Sequence, residues 1–168
     1  ETNNAFANVS LTMSGTADIR NTTNSTGYSG ASGGNNVFIT TTAGLYFQIN
    51  GINTLGYSSV LMTLGVYKSA AGDNGAGLGI AVSSDGTTFS TPVALSTISP
   101  LPTGSAGWSL VKLGGIIPSS ATAAIKFVQL STSSQYRLDD INLYYGTAVV
   151  PSITPSAPAA QCGGTITL

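Results

Sequence analysis

The sequence predicts an all-β domain, an antiparallel β-sandwich, on three observations. No stretch sustains a 3.6-residue apolar period. Short runs alternating apolar with polar residues recur instead, separated by clusters of Gly, Asn, Asp and Pro. Asp85-Gly86 stands between two such runs, a hairpin signal, because a primed turn needs positive φ and Gly supplies it without strain. Strands this short, with no helix between them, stack as two antiparallel sheets rather than forming one parallel sheet.

Taken in order, Ala5 to Met13 alternates weakly (Phe6, Val9, Leu11, Met13) and reads as a first strand, and Ala17 to Asn21 as a short second one. Thr22 to Asn36 is a polar, Gly-rich loop. Val37–Thr41 and Leu45–Ile49 flank an Ala43-Gly44 turn. Ser58 to Tyr67 is the clearest strand: Val60, Met62, Leu64 and Val66 should face the core, with Ser59, Thr63 and Tyr67 outward. After the loop Ala70–Gly77, the run Leu78-Ile80-Val82 should turn at Ser83–Gly86 and return along Thr87–Val93. Trp108–Leu113 and Ala124–Leu130 follow.

The last strand, Tyr136 to Tyr145, is unusual: Arg137, Asp139 and Asp140 fall together in a chain with only two Arg and five Asp. Leu138 has the opposite parity to Ile141 and Leu143, so all three can face a core only if a β-bulge inserts a residue near the Asp pair. Beyond it, residues 1–147 give way to a Pro-rich linker, 148–160, and then to residues 161–168, which read as the first strand of a truncated second module.

Composition narrows function by exclusion. Hydrophobic residues make up 42% of the 168-residue chain and mean hydropathy is +0.27, enough for a core. Charged residues are only 7%, while Ser and Thr exceed a quarter, so hydroxyls and amides must carry solubility, as in secreted or cell-surface β proteins. Net charge is −1 and the five basic residues are scattered, which leaves no patch for nucleic acid. No apolar run is long enough for a membrane-spanning helix. The lone Cys162 has no partner within the chain. With no His, and Glu1 as the only Glu, the chain has no means for His-based triads, His-ligated zinc or a Glu–Glu glycosidase pair, so it does not read as an enzyme.

Three segments in order, Phe47-Gln-Ile-Asn-Gly51-Ile-Asn-Thr54, Val82-Ser-Ser-Asp85-Gly86-Thr-Thr-Phe89 and Tyr136-Arg-Leu-Asp139-Asp140-Ile141, carry a family resemblance. Over residues 6 to 146 the chain resembles the jelly-roll (galactose-binding-like, carbohydrate-binding-module-like) β-sandwich modules of secreted multidomain Bacteroidetes-type proteins. The tail resembles the start of an immunoglobulin-like repeat. The resemblance implies jelly-roll topology, and sometimes a structural Ca2+ held partly by an Asp of the last strand. Asp139 or Asp140 would match that Asp, and the remaining oxygens would have to come from carbonyls, Asn side chains and Asp18. Calcium takes six to eight oxygens, so the pair fits a hard-cation site; the same residues also fit a bulge or an ion pair with Arg137.

A glycan site needs an aromatic face to stack on the apolar face of a sugar ring, with amides or charges reading the hydroxyls. The candidates are Trp108, Tyr67 with Lys68, Lys126, and the loop residues Tyr57 and Tyr28. The competing reading of Trp108 is a cap on the open end of the sandwich. Tyr144 and Tyr145 read as sheet filler. Gly27 to Gly34 is not a phosphate loop, lacking the strand–helix context and a following Lys-Ser/Thr.

The chain therefore reads as a non-catalytic extracellular binding or adhesion module, with polysaccharide or cell-surface glycan as the favoured partner. The alternative is a structural subunit or spacer of a surface layer, fibre or filament. Its tail strand Gly164–Leu168 would then pair with a neighbouring copy.

Overall fold

The computed structural model describes residues 11–147, so residues 5–10 of the first predicted strand, the Pro-rich linker and the tail strand lie outside them. Ten strands form: β1 (Thr12–Gly15), β2 (Asp18–Arg20), β3 (Asn36–Ile39), β4 (Tyr46–Ile52), β5 (Tyr57–Lys68), β6 (Leu78–Ser83), β7 (Val93–Ala94), β8 (Gly107–Gly114), β9 (Ala123–Gln129) and β10 (Tyr136–Thr147). They make two five-stranded sheets, sheet I in the order β1-β4-β9-β6-β7 and sheet II in the order β2-β3-β10-β5-β8. Every pairing is antiparallel. The domain is an antiparallel jelly-roll sandwich.

The core lies between the sheets and follows the period-two pattern. Val60, Met62, Leu64 and Val66 of β5 face Ile49, Ile80, Ile125 and Phe127 of sheet I, all buried. Phe47 and Phe127 stack within the core at 6.5 Å between ring centres. Burying side chains of this size contributes about 1.5–3 kcal/mol each.

The bulge in β10 is present. Its register against β5 shifts between Asp139 and Asn142, and Asp140 adopts φ +50°, the left-handed conformation of an inserted residue. The shift lets Leu138, 1% exposed, and the half-buried Ile141 and Leu143 all pack against the core.

The hairpin after β6 differs from the expectation. Thr87–Pro92 is not a strand, and only Val93–Ala94 pairs back, opposite Ile80 and Gly79. Asp85 Oδ1 instead accepts the N–H groups of Thr87 and Thr88 (2.8 and 2.7 Å), winding the chain into a local Asp turn rather than a tight hairpin. One helical turn, α1 (Leu95–Ile98), follows β7; no described helix is long and apolar enough to cross a membrane.

Candidate functional site

In sheet II the register lines up Phe38, Arg137, Tyr67 and Trp108 across four strands, on the face away from the core. Their neighbours by parity (Val37, Leu138, Val66) are buried, so these four point outward because the core takes the alternate residues. Tyr67 and Trp108 rings lie 5.7 Å apart, tilted at 57°. Tyr28, from the loop between β2 and β3, adds a third ring 6.3 Å from Trp108.

That loop folds back over part of the face. Thr22 carbonyl accepts Arg137 Nη1 at 2.7 Å, and Thr23 carbonyl accepts the Trp108 indole N–H at 3.2 Å. The Tyr28 hydroxyl donates to Asp140 Oδ2, and Ser32 N–H reaches both oxygens of the same carboxylate at 3.2 Å. Tyr28 can lie this low because β5 has Gly65 beneath it: a Cβ there would overlap the Tyr28 hydroxyl and sit 2.5 Å from Cζ. Burial, and then the hydrogen bond to Asp140, raise the Tyr28 phenol well above its ordinary pKa, so it remains a proton donor.

Arg137 is 7% exposed, held by Thr22 and Asn36 and lying 4.8 Å from the Phe38 ring centre. Burial first, and the nearby Arg20 second, lower its pKa from the ordinary value. Asp139 Oδ1 accepts the Asp140 N–H at 2.9 Å, while its Oδ2 is buried without a hydrogen-bond partner. Burial accordingly raises the Asp139 carboxyl. Arg137 and Asp139 do not form an ion pair; Asp18–Arg20, at 3.1 Å, is the salt bridge among the described residues.

The predicted site residues divide. Trp108 and Tyr67 come together as the aromatic pair, and Trp108 lies on the outer face of sheet II rather than capping the sandwich end. Lys68 does not join them. Alternation turns it inward, it is 2% exposed, and its ammonium donates to the carbonyls of Ala71 (2.9 Å) and Asp73, holding the loop after β5. Lys126 is on sheet I, on the opposite side of the molecule, its Nζ 3.9 Å from the Phe89 ring centre and 4.9 Å from that of Tyr46. Tyr57 is at the far end of β5, its ring centre 4.4 Å from that of Tyr145. Tyr144, expected to be filler, is 55% exposed.

The proposed calcium ligands fit a hard cation poorly. Asp18 is paired with Arg20, Asp140 already accepts Tyr28 and Ser32, and no group of three Asp, Glu, His or Cys side chains converges among the described residues. Of the three carboxylates, only Asp139 has a buried oxygen without a hydrogen-bond partner, Oδ2. Asp139 is part of the lining of a cleft of about 520 Å3 that opens where β3 stops pairing with β10 and is walled by Val37, Phe47, Leu138, Ile141 and Asn35.

No protein-family model and no curated protein matches the chain. Solved structures do share its fold. A family 35 carbohydrate-binding module from an environmental isolate superposes with a TM-score of 0.54 at 15% identity, over 83% of this chain and 89% of that one. A family 30 carbohydrate-binding module gives 0.52 at 13% identity, over 87% and 80%. A family 35 carbohydrate-binding module from Clostridium thermocellum gives 0.50 at 14% identity, over 81% and 98%. At these identities the likeness defines the architecture, the β-sandwich of carbohydrate-binding modules, and not the ligand.

Proposed function

We propose that this domain is a non-catalytic carbohydrate-binding module of a secreted or cell-surface protein. The observation that carries this reading is the row Phe38–Arg137–Tyr67–Trp108 on an outer sheet face, with Tyr28 beside it. Phe38, 4% exposed beneath Arg20, only supports the row; the partly exposed rings of Tyr67 and Trp108 can stack on the apolar face of a sugar, and the loop's amides and hydroxyls can read its polar edge. The fold shared with carbohydrate-binding modules supports the same class. Arg137 is too deeply held to be the principal ligand contact. It keeps the row rigid, so the exposed parts of Trp108 and Tyr67 are the stacking surface.

The test is retention on immobilised polysaccharides together with calorimetric titration of wild type, Trp108→Ala and Tyr67→Ala. Losing a stacking ring should weaken affinity about tenfold or more, since about 1.4 kcal/mol is a factor of ten. If the wild type binds none of a broad polysaccharide panel, the carbohydrate reading fails. If it also forms polymers with rising concentration, the structural-subunit alternative takes its place.

A further inference from the structure

Resting on the carbohydrate reading, we infer that the binding face is extended, with a second aromatic subsite at Tyr144, and that the ligand is an interior stretch of a linear polysaccharide.

The register of sheet II continues past the row that holds Trp108. On β5, Gly65 is opposite Leu110 of β8; Thr63 lies between Lys112 of β8 and Asn142 of β10; and Leu61 lies between Gly114 of β8 and Tyr144 of β10. All of these share the outward parity. From Trp108 to Gly114 the face runs about 20 Å at roughly 3.3 Å per residue. The loop after β2 covers Gly65 but not the rows beyond it: Tyr144 is 55% exposed, Leu61 37% and Leu110 39%, and Lys112, Asn142 and Gly114 are exposed too.

Two features separate this from ordinary sheet surface. Tyr57 and Tyr145 pack on each other, whereas Tyr144 makes no aromatic contact among the described residues. It stands beside Leu61, and on the far side of Leu61 Gly114 adds no side chain, so the two exposed apolar side chains form one patch of the kind that marks a contact site. Of the five Lys and Arg, Lys112 alone has no hydrogen bond, ion pair or ring contact among the described residues. Arg20 has Asp18, Lys68 has two carbonyls, Lys126 has two rings, and Arg137 has Thr22 and Asn36.

The face thus runs from the rings of Tyr67 and Trp108, past exposed Leu110 with Gly65 covered by Tyr28, to the polar row Thr63, Lys112 and Asn142, and then to Tyr144. A sugar on Trp108 cannot also reach Tyr144. A chain of several sugars running obliquely from Trp108 on β8 across β5 to Tyr144 on β10 can stack at both ends and place its hydroxyls over the polar row. The continuity of this patch with the Trp108 row, and the donors between the rings, favour a polysaccharide over a second copy of this chain.

The experiment titrates wild type, Tyr144→Ala, Lys112→Ala and Trp108→Ala with β-1,4-linked cello-, xylo- and galacto-oligosaccharides from disaccharide to hexasaccharide. Melting curves and sedimentation accompany each variant. In wild type, affinity should rise at least tenfold from disaccharide to hexasaccharide. Tyr144→Ala should remove that rise while leaving disaccharide binding unchanged, Lys112→Ala should reduce it, and Trp108→Ala should weaken every length. If affinity is independent of length and Tyr144→Ala matches wild type, the second subsite is overturned although the carbohydrate reading stands. If no oligosaccharide and no polysaccharide binds, both fall together. If Tyr144→Ala leaves sugar binding intact but dissociates a dimer, the patch belongs to a second copy of the chain.

Discussion

Replacing Gly65 by Ala tests whether the loop from Thr22 to Asn36 is pinned to sheet II through Tyr28. Gly65 carries no positive φ, so alanine is compatible with the backbone and by itself should help a strand by about 0.5–1 kcal/mol. Its methyl, however, would occupy the position of the Tyr28 hydroxyl. Tyr28 must leave, losing a hydrogen bond to a carboxylate worth about 1.5–3 kcal/mol. It also loses an aromatic contact with Trp108 worth about 0.5–1.5 kcal/mol. The net expectation is a loss of about 1–4 kcal/mol, a fall in Tm on the order of 2–16 °C for a domain of this size. Urea titration followed by fluorescence suits the measurement, because Trp108 is the only tryptophan and touches Tyr28. Tyr28→Ala should cost a similar amount. The double variant should cost no more than Tyr28→Ala alone, because the overlap no longer exists, and this coupling is what identifies the pair. A neutral Gly65→Ala, or strictly additive effects, would refute the pinned loop.

Two further perturbations probe buried charge. Lys68→Met removes the donor to the carbonyls of Ala71 and Asp73 and should lower stability by about 1–3 kcal/mol; an unchanged urea midpoint would mean that the loop holds itself. Asp139 has a raised pKa in the fold, so its contribution is complete below the unfolded carboxylate value of about 3.9 and is lost as pH rises through the folded value. Asp139→Asn should therefore raise Tm at pH 7 and leave it unchanged near pH 3, and neither calcium nor chelator should move the wild-type Tm. A lower Tm for Asp139→Asn at pH 7, together with loss of stability on chelation, would instead reveal a cation held by that carboxylate.

How far the sequence reveals all this depends on the range of the interaction. Period two in β5 and the parity conflict around Asp139 report a residue's own strand, and both the inward face and the bulge follow from them. The same rule turns Lys68 inward with Val66, so pairing Lys68 with Tyr67 as a ligand set overlooked a signal that was present. Alternation states that a residue points outward but not from which sheet. Lys126 and Trp108 are therefore indistinguishable until strand order puts them on opposite faces. The Asp85-Gly86 turn misleads because a carboxylate next to two free N–H groups captures them locally before a ladder can form. The loop of Tyr28 is least legible of all. Its position depends on Gly65 and Asp140, neither near it in sequence, and its composition says only that it is polar.

The place of β10 has a consequence for how the protein is made. It is the last of the described strands in sequence, yet it lies in the middle of sheet II, between β3 and β5. Until Tyr136–Thr147 has been synthesised, the strands of that sheet can pair only as β2 with β3 and β5 with β8, each pair with an unsatisfied edge. At roughly 5–20 residues per second, the ribosome leaves those edges open for a few seconds after β8 emerges. The apolar stripe Val60-Met62-Leu64-Val66 on one of those pairs is exposed over the same interval. Misassembly should therefore threaten the nascent chain more than the finished domain, and a protein truncated before Tyr136 should aggregate rather than fold into a smaller sandwich.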